Sequence, residues 1–131
     1  MNIPKEVEEM IRGNIVILVA TSSLEGVPHL AAARGMTLVD KETVSIKDWL
    51  CLQSLDNLSE NPRVALSLMD EWGQRGFQLI GTVEMGQVEE MLDGYMSEDE
   101  GARLVPQTRS ALTVRVERVL ELCLTPHPEE N

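Results

Sequence analysis

The clearest pattern in the chain lies near its end. In ALTVRVERVLELCL, residues 111–124, Leu112, Val114, Val116, Leu120, Leu122 and Leu124 share one face, and Thr113, Arg115, Glu117 and Glu121 share the other. A repeat of two over this length predicts a long strand with one buried face. RVALSLMD, residues 63–70, sets Val64, Leu66 and Leu68 against Ala65, Ser67 and Met69. After the polar turn EWGQRG, residues 76–85 form its partner strand, with Phe77, Leu79 and Val83 on one face. Gly81 in mid-strand predicts a bulge or a close backbone approach. Earlier, IVILVAT, residues 15–21, is rich in β-branched residues without polar alternation, which predicts a strand buried on both faces. SSLEG then turns, with Gly26 free to take a positive φ. VPHLAAAR, residues 27–34, is the return strand, and residues 36–40 and 43–47 make a hairpin about Lys41 and Glu42. The alanine run 31–33 has low strand propensity, so tertiary context must hold it.

Two segments carry a helical period. In IPKEVEEMIRGN, Pro4 suits a first turn, Glu6, Glu8 and Glu9 complement the dipole, Val7, Met10 and Ile11 share a face, and Gly13-Asn14 is a stop. In WLCLQSLDNLSENP, Leu52, Leu55 and Leu58 recur every three residues and Asn61-Pro62 closes a helix of about two turns. Ser54 is available as its N-cap. Residues 87–105 are acidic and weakly helical, interrupted by Gly94 and Gly101. Their carboxylates (Glu89, Glu90, Asp93, Glu98, Asp99 and Glu100) read as a solvated helix face. The tail TPHPEEN is a frayed end. About seven strands, mostly in hairpins, with two or three short helices amount to a mainly β protein, an antiparallel barrel or sandwich.

Composition narrows this reading. A chain of 131 residues has room for one domain, 1–131, and 43% hydrophobic residues suffice for a core. Trp49, Trp72, Phe77 and Tyr95 are the only aromatics, so that core is aliphatic and methionine-rich. A formal charge of −11 repels phosphodiester backbones and anionic membrane surfaces, so neither nucleic acid nor a membrane is expected as a partner. A small phosphorylated ligand responds to its local pocket and is not excluded. Cys51 and Cys123 form no C-x-x-C pair and read as buried thiols of a reducing compartment. The acidic N-terminus is unlike a signal peptide, and Ile15–Ala20 is too short to cross a bilayer, which points to the cytoplasm. His29 has no second ligand at metal-binding spacing. No serine stands in a G-x-S-x-G context, which disfavours nucleophilic catalysis.

Several phrases, taken in order, carry a resemblance. VATSSLEGVPHLAAARG, TLVDKETVSIKD, QSLDNLSENPRVALSL and GFQLIGTVE together resemble the pyridoxamine 5′-phosphate oxidase-like family of FMN-binding split barrels, in its small single-domain form. The likeness spans roughly residues 3–85, with the final strand compatible, and Glu25-Gly26 replaces the family's Asp-Gly turn. It implies an antiparallel split β-barrel and a homodimer with FMN at the interface. The implied cofactor contacts are Ala32, Ala33, Arg34 and Gly35 on the strand after the proline turn, with Lys47, Asp48, Trp49, Gln53 and Ser54 from the hairpin end and the following helix start. A helix N-terminus offers free N–H groups to a phosphate. Small side chains at 32 and 33 admit a planar ring, and Trp49 can cover it.

One position departs from the family. Where members carry Lys or Arg before Thr or Ser, this chain has Gln53-Ser54. A neutral amide bond is about half as strong as a charge-assisted one, so Arg34, Lys47 or Arg63 must compensate. Arg63 has a competing use in pairing with a carboxylate. The resemblance thus leaves three readings: an FMN-dependent oxidoreductase or electron carrier, a split barrel that has lost flavin and serves as a binding or scaffold protein, and a relative that takes a deazaflavin or haem.

Overall fold

The computed structural model describes residues 2–13, 15–48, 52–70, 73–84, 88–95, 104–110 and 112–123. For Asp48, Leu52 and residues 88–95 and 104–110 only the backbone is described. Within these residues the chain runs α1 (Lys5–Ile11), β1 (Ile17–Ser22), β2 (Pro28–Leu38), β3 (Thr43–Asp48), α2 (Leu52–Glu60), β4 (Arg63–Met69), β5 (Arg75–Glu84), β6 (Val88–Tyr95), β7 (Leu104–Ser110) and β8 (Leu112–Cys123). Six strands close a barrel in the order β1-β2-β3-β8-β5-β4, every neighbour antiparallel. This is the mainly β split barrel expected from the strand periodicities.

The barrel is filled by one side of each strand. Ile17 and Val19, Ala33 and Met36, Val44 and Ile46, Val64, Leu66 and Leu68, Phe77 and Leu79, and Leu112, Val114 and Val116 all point inward. Val7 and Ile11 of α1 join them, so α1 packs as an amphipathic helix against β2 and β4. Among the described side chains Phe77 is the aromatic of this cluster.

Four expectations need correction. β1 is not buried on both faces: Ile17, Val19 and Thr21 point inward, while Leu18 is 43% exposed. A single-layer barrel gives an outward side chain nothing to pack on unless a helix or another molecule covers it. Residues 27–34 and 36–40 are not two strands but one, β2, which runs to Leu38. Gly35, at φ 79°, bends it and shifts its phase, so that Ala33 and Met36 both face inward. Residues 88–95 and 104–110 are not helical; β6 and β7 pair as a two-stranded sheet. Backbone pairing across that distance overrides the weak local helical preference. Residues 96–103 and the tail lie outside the described residues.

The fourth concerns β8. Its alternation holds to Val116 and then changes phase. Gly81 of β5 faces Val116, whereas Ile80 faces Arg118, so Glu117 is an extra residue in the ladder. Beyond this bulge Val119, not Leu120, packs on the core. Glu117 Oε1 accepts from Thr82 Oγ1 at 2.9 Å and pairs with Arg63 Nη1 at 3.3 Å, which ties the bulge to β4 and β5. Gly81 is the mid-strand break foreseen from the sequence: a Cβ there would collide with the Arg115 carbonyl oxygen. Cys123, expected buried, is half-buried; Cys51 lies outside the described residues.

The turns follow local chemistry. Gly26 takes φ 86° and donates to the Ser23 carbonyl at 3.0 Å. Between β2 and β3, Asp40 Oδ1 accepts from Glu42 N at 2.8 Å. That bond and a second from the Thr43 hydroxyl hold the Asp40 carboxyl below its usual value.

Leu66 is fully buried. Leu66→Ala should cost about 2–5 kcal/mol, and Gly81→Ala about 1–3 kcal/mol through the forced shift at Arg115. Urea denaturation checks both; a neutral Gly81→Ala would mean that β5 and β8 part easily at the bulge.

Candidate functional site

The barrel loosens where β2 leaves β3. The last pair between them is Arg34 with Asp48. Residues Pro28–Ala33 then have β1 on one side and, among the described residues, no strand on the other. From Asp48 the chain leaves the sheet and re-enters as α2, which packs on β1 and β2. The first turn of α2 therefore follows the end of β3 closely in the chain, and α2 packs on β2, whose first half has the open edge. Open strand edges and helix starts both present unpaired backbone groups, which suit a planar, oxygen-rich ligand.

The expected site residues distribute over this region as follows. Ala32 is exposed and Ala33 is buried at 3%; Gly35 is the bend of β2. Arg34 and Lys47 are exposed. Neither has a carboxylate within 4.0 Å among the described residues, whereas Arg63 is committed to Glu117. Asp48 ends β3, and Trp49 lies outside the described residues. Gln53 and Ser54 both fall in the first turn of α2.

Ser54 is not the N-cap. The helix begins at Leu52, so Ser54 is its third residue and faces inward. Its side chain is fully buried, and its Oγ has no hydrogen-bond partner among the described residues. Such a group costs about 1–3 kcal/mol of desolvation. The hydroxyl is thus a donor in the first turn of α2 that no acceptor among the described residues satisfies.

Sequence reasoning missed a second feature. Gln53 Nε2 donates to Asn57 Oδ1 at 3.2 Å, and Asn57 Nδ2 donates to Thr21 Oγ1 at 3.0 Å. Asn57 and Thr21 are each 4% exposed. Asn61 continues the line: its Nδ2 reaches the Ser22 carbonyl at 3.5 Å. Gln53, Asn57 and Asn61 are spaced by four, the spacing of one helix face. That polar stripe beside the leucines was the available signal.

A cleft between α1 and β2 is lined by Gly35, Met36 and Leu38 with Glu8, Ile11 and Arg12; another lies apart from this region. The latter, of about 610 Å³ between α1 and the β4–β5 turn, is lined by Glu6, Glu9, Met10, Gly13, Ile15, Asp70, Arg75 and Phe77. Arg75 is already held there by Glu6 at 2.7 Å and Glu121 at 3.6 Å. Among the described residues no group of three His, Cys, Asp or Glu is placed to hold a metal. Among the described residues no helix is long and apolar enough to cross a membrane.

Comparison with known proteins adds the following. The family profile for pyridoxamine 5′-phosphate oxidase matches residues 3–123. An uncharacterized protein of Methanocaldococcus jannaschii is 29% identical over 125 residues, spanning 92% of this chain and 83% of that protein. Among solved structures, HupZ of Group A Streptococcus is similar with a TM-score of 0.68 at 23% identity, over 93% of this chain and 95% of that one. An FMN-binding protein of Syntrophomonas wolfei subsp. wolfei also gives 0.68, at 12% identity, over 93% of this chain and 87% of that one. At these identities the two structures speak to the fold alone.

The unsatisfied hydroxyl yields a contrast between neighbours. Without ligand, Ser54→Ala should be neutral or stabilising by up to about 1 kcal/mol, while Asn57→Ala should cost about 1–3 kcal/mol for the polar partners it strands. Urea melts of both variants test this. A Ser54→Ala loss above about 1 kcal/mol would mean that its Oγ already has a partner.

Proposed function

The chain belongs to the pyridoxamine 5′-phosphate oxidase family, and from that premise we propose that residues 1–131 are a single-domain, cytoplasmic FMN-binding protein with a redox role, acting as a homodimer. The observation that carries this reading is the buried Ser54 Oγ in the first turn of α2, which has no hydrogen-bond partner among the described residues, on a helix that packs on β1 and β2. It fits the terminal phosphate of FMN, which brings several strong acceptor oxygens to one place. When bound, the flavin supplies hydride and electron transfer.

The protein's own residues have distinct tasks. Ser54 Oγ and the first N–H groups of α2 would donate to the phosphate. Arg34 and Lys47, exposed and unpaired with carboxylates among the described residues, supply the positive charge that Gln53 lacks. Ala32 and Ala33 keep side chains short where the ring approaches β2, and Gly35 turns the backbone beside it. Asp48 closes the β2–β3 ladder at the site, and Trp49 is assigned as its cover.

The dimer reading rests on the outer face of β4-β1-β2. Across these strands Ser67, Leu18 and Ala32 form one row, and Ala65, Ala20 and Leu30 the next. Leu18 is 43%, Leu30 63% and Val16 48% exposed. Small residues between exposed leucines make a smooth apolar surface, which a second copy would remove from water. This face adjoins Ala32 and Arg34, so each flavin would lie near the partner.

Gln53 supports the alternative, a split barrel without flavin that serves as a binding or scaffold protein. Its amide is engaged with Asn57, and it offers no charge.

Purified protein should be yellow or become so on titration with FMN, with quenching of flavin fluorescence. Gln53→Lys should tighten FMN binding roughly tenfold by converting a neutral bond into a charge-assisted one. A colourless protein with no FMN titration would leave the scaffold reading standing. Unchanged affinity in Gln53→Lys would move the phosphate elsewhere.

In analytical ultracentrifugation the native chain should sediment at twice 14.6 kDa. Leu18→Glu and Leu30→Glu should each shift it to monomer with the circular dichroism spectrum retained. A native monomer at micromolar concentration would remove the shared-interface model.

A further inference from the structure

The hydrogen-bond line from Thr21 through Asn57 to Gln53 has a direction, and that direction is reversible. As described, Gln53 Nε2 donates to Asn57, and Asn57 Nδ2 donates to the Thr21 hydroxyl oxygen. Gln53 then turns its carbonyl Oε1 and one remaining N–H towards solvent at the start of α2. A carboxamide rotated by half a turn exchanges donor for acceptor, and a hydroxyl can do either. With both amides turned, the Thr21 O–H donates to Asn57 Oδ1 and Asn57 Nδ2 donates to Gln53 Oε1. Gln53 then presents both N–H bonds outward. The same two links are kept in either direction. Among the described residues neither the Thr21 hydroxyl proton nor Gln53 Oε1 has another partner, so reversal breaks nothing else.

From this we infer that Thr21 and Asn57 are positioning residues, a neutral relay that sets whether Gln53 offers an acceptor or a pair of donors to the ligand at the start of α2. Thr21 and Asn57 are 4% exposed, so water does not compete for the two links. Gln53 is exposed and meets the ligand. A phosphate accepts only, and it selects the donor form by binding that form better. The relay is how a site without Lys or Arg at position 53 adapts to an anion while keeping a form suited to ligands without one. The inference rests on the flavin reading for its ligand, but the relay itself is intrinsic to the unliganded chain.

The test separates the two. In the unliganded protein, Thr21→Val removes the hydroxyl at nearly constant shape, and the side-chain amide resonances of Gln53, two links away, should move in a ¹H–¹⁵N spectrum. Thr21→Ser, which keeps the hydroxyl, should restore them. In titrations, Thr21→Val should weaken FMN about three- to tenfold, the loss of one oriented hydrogen bond, and leave riboflavin, which has no phosphate, within about twofold. In a Gln53→Ala background Thr21→Val should have no further effect on FMN, because a positioning residue acts only through the group it positions. An unmoved Gln53 amide, an equal loss for FMN and riboflavin, or an undiminished effect in Gln53→Ala would overturn the relay. If the native chain binds neither flavin, the flavin reading fails by itself. The relay is then judged with inorganic phosphate, which should move the amide resonances of Gln53 and Asn57 together; movement of Gln53 alone would overturn it.

Discussion

Closure of the barrel depends on β8, which must pair with β3 along one edge and β5 along the other. A strand that serves two partners in a small ring has to bend and twist sharply. The bulge at Glu117 supplies that bend, and bulges increase local twist. It is possible because Gly81 has no side chain to obstruct the Arg115 carbonyl. Thr82 and Arg63 then hold the Glu117 carboxylate, so the irregularity is fixed from neighbouring strands. The phase of every residue beyond it follows, and Val119 enters the core where unbroken alternation would have placed Leu120.

The opposite side of the ring is where the sheet gives way. β2 is shared between β1 and β3, but in succession: its first half pairs with β1 and its second half with β3. Gly35 makes the change of direction at the junction. Among the described residues the first half is left with an open edge, and α2 packs on β1 and β2. The split thus leaves Arg34 and Lys47 on the last paired stretch of β2 and β3, with α2 beginning four residues after β3 ends. Burial of Leu55 and Leu58 against the core seats the helix, and the Gln53–Asn57–Asn61 stripe ties its polar side to Thr21 and Ser22. Such buried polar contacts cost little when all are satisfied and fix orientation more sharply than apolar packing does. Ser54 is the exception within that arrangement.

The surface divides in a related way. A net charge of −11 sets copies of the chain to repel one another. The outer face of β1 and β2 carries Leu18, Leu30 and alanines instead, next to the split. That contrast explains the alanine run 31–33, which local propensity disfavours: Ala33 fits the crowded barrel interior, and Ala32 keeps the outer face flat.

Much of the architecture was legible before any coordinates. Period-two burial marked β4, β5 and the first part of β8, because a side chain in an extended backbone has only two sides to occupy. Val7, Met10 and Ile11 announced α1, and Gly26 and Gly81 marked a turn and a close approach that exclude side chains. The family's phrases pointed to the fold that residues 3–123 share with the family. What the sequence alone did not reveal depends on partners distant in the chain. β6 and β7 form strands because they pair with each other, although residues 87–105, which include β6, read as weakly helical. The bulge at Glu117 is a relation between two strands, invisible within either. Leu18 is exposed because a barrel of one layer leaves its outer face bare, whereas an apolar run by itself cannot say how many faces are covered. Ser54 looked like a cap and is a buried donor without a partner among the described residues, and Asn57, to which the sequence drew no attention, is a buried link, since burial is decided by where α2 docks. The hydrophobic period therefore determined which segments exist and which face of most turns inward, and tertiary packing decided which polar groups are taken from water and left to find a partner.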